Sequence, residues 1–251
     1  FKQKTAYEIM PSLVGSEMCI RDRVNSTLTT AEECLKWAFD NLHPKLAKAS
    51  SFGAEDAAII DMMFKINSSA RLFTLETGRL PQATFDVMDE VEKRYNVKVE
   101  MLYPDEQEVE KMVKEKGLDC FYDSVDNRKL CCAIRKVHPM NKMLESLDGW
   151  ITGIRSDQNQ NRSDARMLEI DEMHGGIVKI NPIINWTFDQ TWDYIKKNNC
   201  PYNKLLDQGF LSIGCEPCTR PIKIGEDVRS GRWWWENDEN KECGLHMDHN
   251  K

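Results

Sequence analysis

Apolar and polar residues follow two periods along this chain, one typical of helices and one of buried strands. Thr29 or Thr30 can cap a helix, and the apolar residues that follow at helical spacing stop before Pro44. Further helical patterns lie around 56–65, 82–95 and 105–116, and short apolar runs lie at 71–75, 97–102, 150–153 and 177–180. This alternation predicts an α/β fold, a mainly parallel sheet with helices on both faces.

The length and the composition favour one domain with appended segments. The chain has 251 residues, and its 41% hydrophobic content is enough for a full α/β core. We expect that domain over 24–228 and a C-terminal arm over 229–251. The polar run 236–241 and Gly244 predict that the arm is mobile. Residues 1–23 fit no element of this fold, so we expect a non-native or disordered leader there.

The charge and the cysteine content narrow the functional classes. A net charge of −7 gives no basic excess for a nucleic-acid scaffold, so any anionic ligand must meet a local group of cations. The sequence shows no run of eighteen apolar residues and no secretory segment, which favours a cytoplasmic protein without a membrane anchor. In such a chain, nine cysteines indicate metal binding or redox chemistry rather than a disulfide framework.

Five of the nine cysteines form two pairs and one isolated thiol near the end. Their positions are Cys131, Cys132, Cys215, Cys218 and, in the tail, Cys243. The spacing of the second pair suits a structural zinc site, a disulfide or an iron–sulfur cluster. Adjacent cysteines are less typical of zinc, and 129–133 is compatible with a helix from which two side chains diverge. The pattern favours a cluster over zinc and leaves Cys243 as a free nucleophile or an unimportant exposed thiol.

Three loops that follow apolar runs are candidates for a ligand site. They are 50–56, which leads into a helix, 75–80 and 152–162. Because the carboxyl ends of parallel strands share one edge, we expect these loops to border one crevice. Gly53 allows an anion close to the helix N-terminus, and Arg155 and Arg162 offer planar forks to phosphate or sulfate oxygens. The usual P-loop and dinucleotide fingerprints are absent.

Seven motifs together resemble one family, the assimilatory adenylylsulfate (APS) and phosphoadenylylsulfate (PAPS) reductases, in the branch that carries a 4Fe-4S cluster. They are SFGAED (51–56), LETGRL (75–80), CCAIRK (131–136), TGIR (152–155) with Arg162, GCEPCTR (214–220), RSGRWWW (229–235) and ECGLH (242–246). Three positions depart from the family's usual residues, namely Glu76, Ser156 and Asn159. The resemblance covers nearly all of the chain after residue 30 and implies a fold like that of the adenine-nucleotide α-hydrolases.

The resemblance also implies a mechanism and a set of site residues. The Cys243 thiolate attacks the sulfur of APS, AMP leaves, and thioredoxin or a related dithiol protein releases sulfite from the S-sulfocysteine. The 4Fe-4S cluster is held by Cys131, Cys132, Cys215 and Cys218. Substrate contacts fall at Ser51, Gly53, Leu75, Gly78, Lys136, Gly153, Arg155, Arg162, Arg229, Arg232 and His246. The role of His246 stays open between a substrate or partner contact and a surface histidine.

Three other functions are weighed against this hypothesis. A PAPS-preferring reductase normally lacks the two cysteine pairs. A DNA sulfur-modification enzyme with a cluster is disfavoured by the tail motif and the acidic charge. A zinc-stabilised nucleotide-binding module would have no catalytic thiol. We also expect a homo-oligomer that binds neither nucleic acid nor membrane.

Overall fold

The computed structural model describes residues 24–158, 165–223 and 225–236. Six strands are present in that part of the chain: β1 (Leu46–Ser50), β2 (Arg71–Leu75), β3 (Glu100–Leu102), β4 (Gly149–Ile151), β5 (Leu168–Asp171) and β6 (Ile177–Ile180). Besides the helical residues 24–27, the α-helices in the same part are α1 (Ala31–Leu42), α2 (Ala54–Ile66), α3 (Gln82–Tyr95), α4 (Glu106–Lys116), α5 (Val125–Cys132), α6 (His138–Leu144) and α7 (Phe188–Asn198). A π-helical turn over Ala133–Val137 joins α5 to α6.

The six strands form one sheet in the order β3-β2-β1-β4-β6-β5. All neighbours are parallel except β5, which pairs antiparallel with β6. The predicted α/β class with a mainly parallel sheet is therefore confirmed. The strand order runs outward in opposite directions from β1 and β4, so the loops after these two strands separate and leave a crevice at the carboxyl edge.

Local signals account for the elements and for their lengths. Thr30 caps α1 through a capping box with Glu33, which agrees with the predicted helix start at Thr29 or Thr30. The predicted strand over 97–102 is shorter in the structure and begins at Glu100. The backbone N–H groups of Val97 and Val99 bond to Glu92 at the end of α3 instead of to a neighbouring strand. The antiparallel strand β5 was not predicted, because its four residues alternate between apolar and polar and form no apolar run.

Buried apolar residues form three clusters. The largest packs α1, α2 and α7 against one side of the sheet, and a second lies between the sheet and α6 around Phe73 and Trp150. The third lies around Phe121 and Trp233 and includes three of the paired cysteines. Within the described residues, no helix combines the length and apolar character needed to cross a membrane.

Candidate active site

The loop after β1 is held by a buried ion pair beneath it. Lys48 points from β1 onto the carboxylate of Asp56 and has no exposed side-chain surface. The other carboxylate oxygen of Asp56 accepts hydrogen bonds from Ser51, at 2.7 Å from its N–H and 3.2 Å from its hydroxyl. Gly53 precedes α2 without a side-chain cap. The turn therefore has a fixed shape, and the first turn of α2 faces the crevice without an internal cap.

A cavity of about 290 Å³ occupies the crevice at the carboxyl edge of the sheet. Of the predicted substrate-binding residues, those that line it are Ser51, Gly53, Leu75, Lys136, Gly153, Arg155, Arg229 and Arg232. Gly78 does not line it. Its N–H bonds to the Glu76 carboxylate at 2.9 Å, and its Cα faces Arg135. Thr77 lines the cavity instead. The volume is near the lower end of ordinary small-ligand pockets.

One end of this cavity carries a paired arginine rather than a free one. The Arg155 guanidinium is almost fully buried, lies 3.0 Å from Glu55 and also contacts Asp157. A Cβ on Gly153 would be 2.8 Å from an Asp56 oxygen, so glycine is required for the close approach of this loop. Arg155 therefore fixes the loop after β4 to the start of α2 in the free protein.

The other end of the cavity is cationic. Lys136 comes from the π-helical turn, and Arg229 and Arg232 come from the segment after the sheet. Arg232 lies directly against Gly214, where an added Cβ would be 2.5 Å from the guanidinium carbon. Single π-helical turns within helices occur frequently at functional sites. Here the turn places Lys136 at the cavity one helical turn after Cys132.

The two cysteine pairs meet at a second, smaller cavity. Cys131 and Cys132 lie at the end of α5, and Cys215 directly precedes a short 3₁₀ turn that ends at Cys218. All four line this cavity, together with Arg79, Phe121, Arg128, Arg135, Lys136 and Trp233. Within the described residues, no group of three or more His, Cys, Asp or Glu side chains has the arrangement of a site for a single metal ion.

Charge around the thiols is uneven. Burial raises the pKa of Cys218 to about 12, and Cys215 adds to that shift. Burial also raises the pKa of Cys131. For Cys215 the burial effect is outweighed by Lys136, a hydrogen bond at 3.3 Å from Thr77, and Arg232, so its pKa is lowered. The nearby cations thus favour the thiolate form of Cys215, which is the form that binds a metal.

Three buried N–H donors of this region have no hydrogen-bond partner among the described residues. They are Arg135 Nε, Arg232 Nε and Trp233 Nε1. Arg135 and Trp233 line the cysteine cavity, and Arg232 lines the larger one. Buried polar groups are seldom left unpaired, so each unpaired donor needs an explanation. The donors indicate that an anionic group belongs among the cysteines and the nearby cations.

The two cavities share a wall made by Lys136 and Trp233. The predicted nucleophile Cys243, together with Arg162 and His246, lies outside the described residues. Sequence reasoning missed Lys48, because a single charged residue in an apolar strand looks like ordinary surface. The one available signal was for Lys48, a lysine in the apolar segment before the Ser50 turn.

Comparisons with known proteins agree with this geometry. Residues 45–221 match the model of the phosphoadenosine phosphosulfate reductase domain. The adenosine 5'-phosphosulfate reductase of Allochromatium vinosum is 44% identical over 198 residues, which cover 79% of this chain and 77% of that protein. A crystal structure of the phosphoadenylyl-sulfate reductase of Candida auris, a phosphate complex, has a TM-score of 0.68 and 31% identity, covering 79% of this chain and 95% of that one.

A more distant structure shares the fold alone. The FMN adenylyltransferase of Candida glabrata in complex with ATP aligns with a TM-score of 0.54 at 12% identity, over 94% of this chain and 81% of that chain. This agrees with the predicted likeness to adenine-nucleotide α-hydrolases. The resemblance that the seven motifs predicted is confirmed, and the chain belongs to the phosphoadenosine phosphosulfate reductase family.

Proposed function

We propose that this chain reduces adenylylsulfate to sulfite and AMP with electrons from thiols. The observation that carries the proposal is the wall of Lys136 and Trp233, which the nucleotide-sized cavity shares with the cysteine cavity. It gives one elongated site with a cationic end, made by Lys136, Arg229 and Arg232. A phosphosulfate suits that end, and the adenosine then extends toward Ser51, Leu75 and Gly153.

The proposed first step is a thiol substitution at sulfur. The Cys243 thiolate forms a bond to the sulfur of APS, the bond from that sulfur to the phosphate oxygen breaks, and AMP leaves with the electron pair. The product on the enzyme is an S-sulfocysteine. Because both the attacking and the leaving group are anionic, cations beside them stabilise the transition state. Lys136, Arg229 and Arg232 supply that charge, with Arg162 and His246 as further predicted contacts.

In the second step an external dithiol attacks the S-sulfocysteine. Its first thiol takes the Cys243 sulfur into a mixed disulfide and releases sulfite, and its second thiol frees Cys243 and becomes part of a disulfide. The dithiol is thereby oxidised by two electrons. Thioredoxin or a related protein has the required chemistry. We place the reaction in the cytoplasm, where thiols are kept reduced, and in sulfate assimilation toward cysteine.

The residues present fit a 4Fe-4S cluster. Four cysteine side chains are the donor set that such a cluster takes. Arg135 Nε and Trp233 Nε1, which have no partner in the described part of the chain, belong to residues that line the same cavity. Cys131, Cys132, Cys215 and Cys218 would hold it. When bound, the group supplies structural support and a charged centre beside the substrate, while the electrons for sulfite come from thiols. Arg135 and Lys136 would offset the negative charge of thiolate ligands.

A PAPS-preferring or dual-specificity reductase is the second candidate. It is favoured by the family model and by the Candida auris structure, which is that of a PAPS reductase. The curated relative from Allochromatium vinosum is instead named for APS and is more similar in sequence. The ratio of kcat/KM for the two nucleotides decides between the candidates, and we expect it to favour APS.

The test of the reaction type is mass spectrometry of anaerobically purified protein after incubation with APS and without reductant. We expect a mass gain of one sulfo group, located on the peptide that contains Cys243 and released by reduced thioredoxin. The C243S variant should bind AMP with unchanged affinity and gain no mass. Protein that binds AMP and APS but forms no adduct on Cys243 contradicts the proposal.

A further inference from the structure

A buried ion pair joins the segment 229–236, at the start of the predicted C-terminal arm, to α5, the helix that carries the first cysteine pair. Arg128 on α5 donates two hydrogen bonds to the Glu236 carboxylate, from Nε at 2.9 Å and from Nη2 at 2.8 Å. Their side chains are 1% and 4% exposed. This bidentate geometry is the strongest form of the arginine–carboxylate contact and fixes both side chains in orientation. A charged pair with so little exposure is rare unless both partners are held firmly.

Trp233 connects this pair to both cavities. The guanidinium carbon of Arg128 lies 4.6 Å from the centre of the Trp233 ring, and that of Arg232 lies 4.7 Å from it. Trp233 itself is 1% exposed, and its backbone N–H bonds to the carbonyl of Cys218 at 3.2 Å. The start of the segment is therefore attached to both cysteine-bearing elements and also to a cation of the nucleotide cavity.

We propose that Arg128 and Glu236, packed on Trp233, are positioning residues that set where the thiol of Cys243 is delivered. This inference rests on the proposed function, in which Cys243 is the nucleophile. Cys243 follows Glu236 by seven residues. An extended chain gains at most about 3.6 Å per residue, so the Glu236 anchor confines the Cys243 Cα to a sphere of roughly 25 Å radius. A fixed attachment point beside the cationic end raises the effective concentration of the thiol at the substrate.

Loss of the pair should slow sulfo transfer without changing the chemistry of the thiol or of the nucleotide site. The test variant is E236Q, which keeps the size of the side chain and removes its charge. In a single-turnover experiment with APS, we expect the rate of adduct formation on Cys243 to fall at least tenfold. The affinity for AMP and the rate of Cys243 alkylation by iodoacetamide should stay within twofold of wild type, because neither depends on delivery of the thiol to bound substrate.

The matched control is E226Q, which removes the carboxylate of an exposed arginine pair in the same part of the chain. Arg220 and Glu226 lie 2.9 Å apart, and both are about one-third exposed. We expect this control to leave all three quantities within twofold. If E236Q does not fold, E236D keeps the charge and displaces the anchor by one methylene. It should then show slower transfer with unchanged AMP affinity.

The outcomes separate this proposal from the proposed function. Wild-type protein that forms no Cys243 adduct sinks the proposed function. The positioning role is overturned if wild-type protein forms the adduct and E236Q transfers the sulfo group as fast as E226Q does. The same holds for E236D if that variant is the one that folds. A fall in alkylation rate as large as the fall in transfer rate also overturns it, because the pair would then act on the thiol itself.

Discussion

Lys48 shows how one buried charge can shape a binding loop. It lies in the middle of β1, and its ammonium group meets Asp56, which in turn holds the Ser51 N–H. An isolated charge in an apolar strand would carry a large desolvation penalty, so the lysine is tolerated only because its partner is fixed opposite it. The pair fixes the turn after β1, because the same carboxylate holds the backbone that faces the larger cavity.

We predict that K48M destabilises the protein by about 3–5 kcal/mol, because it leaves the Asp56 carboxylate buried without its cation. AMP affinity should also fall, because Asp56 no longer holds the Ser51 backbone in place. Urea denaturation and titration calorimetry measure the two effects.

The matched control is K45M, which breaks the exposed pair of Lys45 with Asp148, 3.5 Å apart. We expect this control to change stability by less than about 1 kcal/mol and to leave AMP affinity unchanged. Equal losses in the two lysine variants would show that the buried pair has no special role.

At the scale of elements, the antiparallel edge is joined to the centre of the sheet by a buried carboxylate. Asp171 at the end of β5 accepts a hydrogen bond from the Trp150 indole in β4 at 2.9 Å and lies 2.8 Å from Nδ1 of His174. Burial acts to raise the pKa of Asp171, but the contacts with His174, Trp150 and Lys179 outweigh it, so the pKa is lowered.

This lowered pKa predicts a pH-dependent stability. The stabilising contribution of Asp171 is complete above the unfolded-state pKa of about 3.9 and is lost as pH falls through the lower folded-state pKa. D171N should therefore be less stable than wild type by about 1–3 kcal/mol near neutral pH. The difference in stability between wild type and D171N should shrink as pH falls below the unfolded-state pKa of about 3.9 and through the folded-state pKa of Asp171. Urea denaturation as a function of pH measures it, and a deficit that stays constant with pH contradicts the assignment.

At the scale of the whole molecule, the four paired cysteines lie in or against an apolar cluster that is separate from the other two. Cys131, Cys215 and Cys218 pack with Phe121 and Trp233, apart from the two clusters that cover the sheet. The metal centre proposed for these cysteines would contribute its binding free energy to folding, because its ligands come from segments far apart in sequence. Removal of the metal should then lower local stability in this cluster and leave the other two clusters unaffected.

We therefore predict a local response to metal removal. Hydrogen exchange with mass spectrometry, on anaerobically purified protein with and without its metal, should show lost protection over 120–137 and 213–236. Protection in α1, β1 and α2 should change little, because their packing lies in the largest cluster. Uniform loss along the chain would show one cooperative unit, and no change anywhere would show that these cysteines hold no structural metal.

Several features of the fold follow from local sequence. The capping box at Thr30, the apolar runs of β2 and β6 and the helical patterns of α3 and α4 are local signals, and the structure places these elements where the sequence predicts them. Strand β5 and helix α7 were not predicted. In β5 the apolar residues Leu168 and Ile170 alternate with the polar residues Glu169 and Asp171. This segment is too short and too polar to be recognised alone, so its strand character depends on its pairing with β6.

The sequence by itself determined the class of fold, the family and the four cysteines that belong together, because periodicity, caps and motif order are recorded along the chain. Only the tertiary structure decided that Lys136 and Trp233 stand between two cavities, that Arg155 is paired with Glu55, and that Arg128 holds Glu236. Those contacts join residues as many as 108 positions apart. Their energies come from burial and charge pairing, which depend on distance in space and leave no local pattern in the sequence.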